Sequence, residues 1–320
     1  MSYKSIWDFG RGGKANYSVH GIGEYPSKIR PLIVSKIVER FSERGDTVLD
    51  PFCGGGTVPI EAKIQGRNSI SYDVVPNAVE LTKRRLEALN KKEMEKVTIE
   101  FINEYENELE KITRRMEKIR LEKEIKKLKE KLNELKDGNS KYYQTTHSVG
   151  IKDARELNLS EESVDAVITD IPYASMIKYS DKPEDLSTID DYPKFIDELE
   201  IALSKAGKAL KKGKYFVIFV ADYRIGASRL ILPVHSDVIQ IMQGLGFDLF
   251  DVYIWRYYRS GGFRPFGKKP YQAMNLHIYI LCFYKPTGKE VYKPNRPIRY
   301  RKRLIEKLNG NNSKESSQTL

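Results

Sequence analysis

Cysteine is almost missing from this chain: only Cys53 and Cys282 occur in 320 residues. They lie far apart, with no His or Cys at ligand spacing. Neither a disulfide framework nor a structural metal is expected, and both thiols read as packing residues. Histidine is nearly as scarce, since His20, His147, His235 and His277 are the full set and none is paired at a catalytic spacing. No apolar run approaches the about 20 residues that a bilayer-crossing helix needs, and no apolar segment follows a basic start. The expectation is a cytoplasmic protein without a membrane partner. The chain also lacks a strand followed by the spaced glycines of a dinucleotide site or by the Lys-Ser/Thr of a phosphate loop.

What is abundant is charge. Lys and Arg outnumber Asp and Glu by 55 to 44, and the net charge of +11 would draw a polyanion at long range, nucleic acid ahead of an acidic membrane surface. The richness in Lys, Glu, Arg, Ile and Tyr is the bias of ion-pair-rich thermophile proteins. A chain of 320 residues can bury one large core, with length left for an insertion or a tail.

Periodicity gives an α/β order. A helix is predicted from Ser27 through Ile29, Leu32, Ile33, Ile37, Val38 and Phe41, followed by a strand over Thr47 to Asp50. A helix from Thr57 to Gly66, a strand from Ser69 to Asp73 and a helix from Pro76 to Leu89 come next. This alternation is the signature of a parallel sheet with right-handed crossovers. Residues 103–136 are mostly Lys, Glu and Arg, with apolar positions three and four apart, which predicts a long amphipathic helix or helical hairpin. The phase slips between Ile119 and Ile125, where a bend or a stutter is expected. Strands are then predicted at Asp165 to Asp170, Tyr215 to Ala221, Phe247 to Trp255 and Leu276 to Tyr284. Helices are predicted within Ser187 to Leu210 and from Val234 to Leu245.

Two strand ends carry chemistry. The first breaks into Asp50-Pro51-Phe52-Cys53-Gly54-Gly55-Gly56-Thr57, a turn whose glycines allow close backbone approach while the following helix aims free N–H groups at a ligand. Asp73 ends the next strand, where a carboxylate can accept from both hydroxyls of a ribose. Asp153 sits either as an acceptor for the exocyclic amine of an adenine or as an exposed loop acid. A ligand with ribose and adenine but no phosphate fits, which points to S-adenosylmethionine. The second strand end is Asp170-Ile171-Pro172-Tyr173.

With both turns present, the chain resembles the S-adenosylmethionine-dependent amino-methyltransferases of nucleic acids, of N4-cytosine and N6-adenine type. Their hallmark is an Asp/Asn/Ser-Pro-Pro-Tyr/Phe tetrapeptide downstream of an Asp-Pro-Phe-Cys-Gly-Ser-Gly-Thr turn. The stretch from His20-Gly21 through Tyr25-Pro26-Ser27-Lys28 to Pro31 is similar to the one preceding the donor turn in N4-cytosine members. The resemblance implies a Rossmann-like methyltransferase fold, with a mostly parallel seven-stranded sheet, an antiparallel last strand and here a charged helical insertion. It implies that Asp50, Pro51, Phe52, Cys53, Gly54, Gly56, Thr57, Asp73 and Asp153 hold the donor. It also implies that Asp170 and the Ile171 carbonyl accept the N–H bonds of the target amine, turning its lone pair to the methyl group, with Tyr173 stacked on a flipped base and Pro172 stiffening the turn. No cysteine nucleophile is needed, because the amine itself attacks. Ile171 departs from the usual proline, losing a fixed φ and gaining an N–H, and points to a less common branch, the archaeal type that methylates cytidine in ribosomal RNA.

The acceptor polymer is read from the rest of the chain. The loop after Trp255 interleaves cations with rings, and Arg256, Tyr258, Arg259, Phe263, Arg264, Lys268 and Lys269 suit phosphate contact and base stacking on looped nucleic acid. Arg296, Arg299, Arg301, Lys302 and Arg303 extend that basic surface. No globular block for reading duplex sequence is evident, so structured RNA is the expected partner, with DNA as the alternative. A degenerate nucleic-acid-binding module that keeps the fold without turnover is the second alternative. The expected divisions are residues 1–46, an N-terminal segment and helix completing the donor pocket; 47–285, the methyltransferase domain with its insertion at about 100–140; and 286–320, a basic extension ending in disorder.

Overall fold

The computed structural model describes residues 5–8, 17–26, 29–137, 142, 144–173, 177–225, 230–256 and 277–290. Its centre is a strand set written almost wholly in apolar residues. In β2 (Thr47–Asp50) Val48 and Leu49 are fully buried, as are Val164, Ala166, Val167 and Ile168 of β5 (Val164–Asp170). Such continuous runs belong to strands covered on both faces. With β3 (Asn68–Asp73), β4 (His147–Ile151), β6 (Leu210–Val220), β9 (Asp248–Arg256) and β10 (His277–Tyr284), they give the order β9-β10-β6-β5-β2-β3-β4. Only β10 runs antiparallel to its neighbours in this set of seven, as expected.

Two strands exceed the expectation. A three-residue β1 (Ile6–Asp8) pairs parallel with β9 and makes an eighth strand. The edge strand β4 has no fully buried position and exposes Ser148 and Ile151, and neither it nor β1 carries an alternation strong enough to read. A separate ribbon joins β7 (Tyr223–Ile225) to β8 (Leu230–Leu232).

Helices cover both faces. On one side α1 (Pro31–Phe41) buries Ile33, Val34, Ile37, Val38 and Phe41 against Val48, Ala166, Ile168 and Val217. On the other, Phe195, Leu199 and Leu203 of α6 (Tyr192–Ala209), each four residues apart, pack with α7 (Val234–Gly244) on Leu49, Val167 and Phe216. Helix α1 starts at Pro31 rather than at Ser27: proline is preorganised for the first helical position, where its missing N–H costs nothing. Ser27 lies outside the described residues.

The charged segment is a helical hairpin of α4 (Lys91–Leu109) and α5 (Arg115–Lys136), beginning earlier than expected. The Asn90 side chain caps α4 by accepting from the Glu93 N–H at 3.0 Å. The chain reverses at 110–114, and the phase slip between Ile119 and Ile125 falls inside continuous helix α5. That helix can change face there because Met116 and Ile119 are exposed while Ile125 and Leu135 are buried. The hairpin docks on α2 (Thr57–Ile64), where the Lys131 ammonium donates to the Ile64 carbonyl at 2.6 Å. No described helix is long and apolar enough to cross a membrane.

Candidate active site

Because β2, β3 and β5 are parallel neighbours, Asp50, Asp73 and Asp170 all finish at one carboxyl edge, where open α/β sheets bind ligands. There they line an open cavity at that edge. Pro51, Phe52, Cys53, Gly54, Thr57, Asp153, Ile171 and Pro172 line it as well.

The glycine turn is tied down on several sides. The Cys53 N–H donates to the Tyr72 carbonyl at 2.9 Å, the Gly54 N–H to Asp73 Oδ2 at 2.8 Å, and the Thr82 hydroxyl to the Gly54 carbonyl at 2.9 Å. Gly54 and Gly56 have φ of +47° and +79°, the left-handed region that glycine enters without strain. Gly56 does not line the cavity: it precedes α2, and a Cβ there would meet Thr82 at 2.6 Å. Its close contact with Thr82 shows a packing role for this glycine.

The carboxylates differ in how they are held. Asp73 accepts from Gly54 through Oδ2 and from Val75 through Oδ1, so backbone donors fix both oxygens while each keeps a further lone pair. Burial nevertheless pushes its pKa up to about 6. Asp50 Oδ1 accepts from the Thr169 hydroxyl at 2.8 Å and the Phe52 N–H at 3.3 Å, and burial pushes this carboxyl up to about 7. Asp170 is held well above the usual carboxylate range, again by burial, with Asp50 adding to the rise and a hydrogen bond from Tyr173 opposing it.

Tyr173 donates its hydroxyl to Asp170 Oδ1 at 2.9 Å and is itself buried, and it is not among the cavity-lining residues. In this structure the Tyr173 hydroxyl orients the acid. Asp153 caps the short 3₁₀ turn at 154–156 and is gripped by Arg155, with contacts of 2.6 to 3.0 Å; Arg155 also reaches Glu198 at 2.7 Å. It is neither the exposed acid nor an unengaged acceptor, since most of its lone pairs face Arg155. Ile171 uses the N–H that a proline would lack, donating to the Phe219 carbonyl at 3.4 Å and extending the β5–β6 pairing by one residue.

Sequence reasoning missed several wall residues. Tyr25 and Tyr179 lie with rings 11° from parallel and centroids 6.0 Å apart, and both line the cavity. Asp185 lines it while capping the turn at 186–188, accepting from the Ser187 N–H and the Ser180 hydroxyl at 2.9 Å each. The pattern Asp185-Leu186-Ser187 was a legible capping signal. Of the basic loop only Arg256 is described, exposed at the end of β9. Tyr258, Arg259, Phe263, Arg264, Lys268 and Lys269 lie outside the described residues, as does the C-terminal basic segment. Cys53 and Cys282 are buried and unlinked, and no cluster of metal-ligating side chains occurs among the described residues.

The parallel sheet with one reversed strand, and the cavity at its carboxyl edge, define a Rossmann-like methyltransferase fold. Residues 24–212 match the family described as RMKL-like, methyltransferase domain, and the chain belongs to that family. Residues 164–319 also match a family described as DNA methylase. The type II methyltransferase M.MjaII of Methanocaldococcus jannaschii is 31% identical over 27% of this chain and 16% of its own length. M.BsoBI of Geobacillus stearothermophilus is 40% identical over 19% of this chain and 12% of its own. These matches thus span less than a fifth of either relative. Among solved structures, a TehB-like SAM-dependent methyltransferase from Corynebacterium glutamicum aligns with a TM-score of 0.39 at 15% identity, covering 79% of this chain and 86% of that one.

Proposed function

We propose that this chain is an S-adenosylmethionine-dependent methyltransferase acting on the exocyclic amine of a nucleobase, with N4 of cytidine in structured RNA as acceptor. The observation that carries the donor assignment is charge. In a protein of net charge +11, the described residues that wall the cavity include Asp50, Asp73, Asp153, Asp170, Glu184 and Asp185, with Lys152 as the one cation among those described. Arg155 pairs with Asp153, and burial favours the protonated form of Asp170 and in part of Asp50, so the negative charge of the lining is reduced but not balanced by cations among the described residues. It disfavours phosphates and offers acceptors to a ligand bearing a sulfonium, an ammonium group and hydroxyls.

When bound, S-adenosylmethionine supplies an electrophilic methyl on a positively charged sulfur. The remaining lone pairs of Asp73 would take the ribose hydroxyls, and the glycine turn would lie against the rest of the molecule. Asp170 and the Ile171 carbonyl accept the two N–H bonds of the target amine, so its lone pair leaves the ring plane and points toward the methyl group. The new N–C bond forms as the C–S bond breaks, the sulfur keeps that electron pair, and the nitrogen then sheds a proton. Asp170 suits that proton, because burial raises its affinity for one. Tyr173 keeps Asp170 aimed while this happens.

Among the described residues, what lies outside the sheet and its covering helices is the α4–α5 hairpin and the β7–β8 ribbon, and neither is a block that could read duplex sequence. This favours RNA, as does the ring-and-cation composition of residues 256–269. The second reading, N4-cytosine or N6-adenine methylation of DNA, is favoured by the DNA methylase match and by the type II relatives. Transfer of labelled methyl to total RNA, intact ribosomes and duplex DNA, followed by nucleoside mass spectrometry, decides between them. N4-methylcytidine in RNA is the expected product. Transfer to duplex DNA alone rejects the RNA assignment, and RNA binding without any transfer leaves a non-catalytic module.

A further inference from the structure

Arg85 of α3 (Pro76–Ala88) is fully buried and has no carboxylate partner among the described residues. An unpaired buried charge is costly, and here the guanidinium is satisfied by backbone oxygens alone. Its Nε donates to the Ile22 carbonyl at 2.8 Å, one terminal nitrogen to the Gly23 carbonyl at 3.0 Å, and the other to the Gly55 carbonyl. Ile22 and Gly23 belong to the segment 17–26, whereas Gly55 is the middle of the glycine turn. One side chain therefore joins two stretches of chain about thirty and sixty residues away.

The segment is anchored at its other end too. The Tyr17 hydroxyl donates to Glu61 Oε1 at 2.5 Å, and His20 Nε2 lies 2.8 Å from the same oxygen, with His20 and Glu61 fully buried. Glu61 is on α2, directly after the glycine turn. Between these anchors and the cavity, residues 21–26 are exposed or half-buried, so little apolar burial holds them down. The glycines of the turn make room for this segment. A Cβ at Gly54 would come within 2.7 Å of the Tyr25 ring, and one at Gly55 within 2.8 Å of the Arg85 guanidinium.

We propose that Arg85 is a positioning residue that straps segment 17–26 across the glycine turn, so that Tyr25 becomes a wall of the donor cavity. Part of the glycine run is thereby explained by this strap rather than by ligand contact. The inference rests on the donor reading of that cavity only for the size of its effect on binding. Arg85 touches neither donor nor acceptor and acts through the strap.

The test compares the wild type with Arg85→Met, Arg85→Lys and Gly23→Ala. In the last, a φ of +66° and a Cβ 2.7 Å from the Arg84 guanidinium and 2.8 Å from Leu81 strain the strap directly, moving two of the carbonyls that Arg85 holds while leaving the Arg85 side chain itself unchanged. Hydrogen exchange of the amides at 21–25 and calorimetric binding of S-adenosylmethionine are measured on the same samples. Loss of protection in the strap, a donor Kd at least tenfold higher, an unchanged acceptor KM and an intermediate value for Arg85→Lys are expected. Arg85→Met that keeps both strap protection and donor affinity overturns the proposal. Should that variant fail to fold, Gly23→Ala decides by the same two readouts. A wild type that binds no S-adenosylmethionine refutes the donor reading instead, while the exchange data still judge Arg85.

Discussion

Asp73→Asn tests the donor assignment most directly, because the structure fixes both what the side chain does and at what pH it should stop doing it. Two backbone N–H groups, from Gly54 and Val75, point at its oxygens, so an amide in its place satisfies one and turns an NH₂ group toward the other. Leaving one such donor unpaired costs about 1–3 kcal/mol, and losing the charge of a carboxylate that accepts hydroxyl hydrogen bonds costs about as much again. The first cost falls on the free and the bound protein alike, so the second sets the loss of S-adenosylmethionine affinity, about five- to a hundred-and-fifty-fold at pH 7.5. The pH dependence is the sharper signature. With Asp73 raised to about 6, a donor that requires the ionised form binds about tenfold more weakly at pH 5 than at pH 7, one decade of Kd per pH unit below the pKa. Asp50, at about 7, steepens the lower part of the curve if it too must ionise. Calorimetric titration of S-adenosylmethionine between pH 5 and 8 reads both effects. An Asp73→Asn variant whose Kd stays within twofold of wild type and keeps the full slope refutes the placement of the donor against this acid.

The same two acids set the stability of the free protein. Their folded pKa values of about 6 and 7 lie above the ordinary 3.8, so the folded state holds its protons more tightly than the unfolded chain. The contribution is present below about pH 4 and lost as pH rises to 7, at about 1.4 kcal/mol per pH unit for each acid across its own window. Thermal melts should therefore show Asp50→Asn more stable than wild type at pH 8, a difference that shrinks toward pH 4. Asp170→Ala is expected to abolish methyl transfer while leaving donor affinity within a few-fold, and measurable single-turnover transfer by that variant would remove Asp170 from the chemistry. Ile171→Pro, which supplies the family's usual residue, removes the N–H given to Phe219 and should cost about 1 kcal/mol in denaturant unfolding, with donor binding unchanged. Phe195→Ala, at a fully buried position under the sheet, should cost about 3–5 kcal/mol by the same measurement.

How far the sequence could be read depended on the kind of signal each element leaves. Strands β2, β5 and β6 were legible because a strand covered on both faces must be apolar at nearly every position, and Asp50 and Asp170 mark where the runs of β2 and β5 meet a polar turn. Strands β1 and β4 were not, since half-exposed edges impose no such pattern. In the insertion the break in apolar phase was real and is a stutter rather than a bend, because α5 changes its buried face without leaving the helix. Around the cavity, side chains that announce themselves by type were found, whereas those placed by long-range contact were missed. Tyr25 reaches the site only because Arg85, sixty residues on, holds its segment there, and Asp153 is engaged only because Arg155 folds back on it while pairing with Glu198. The glycine run shows the same limit from the other side. Its composition indicated that something approaches the backbone closely, and the structure adds that at Gly54 and Gly55 the approaching groups include Tyr25 and Arg85 of the protein itself. A motif thus records that space is needed at a position, while what fills the space is decided by elements far away in the chain, which is why the strap and its buried guanidinium could be seen only in three dimensions.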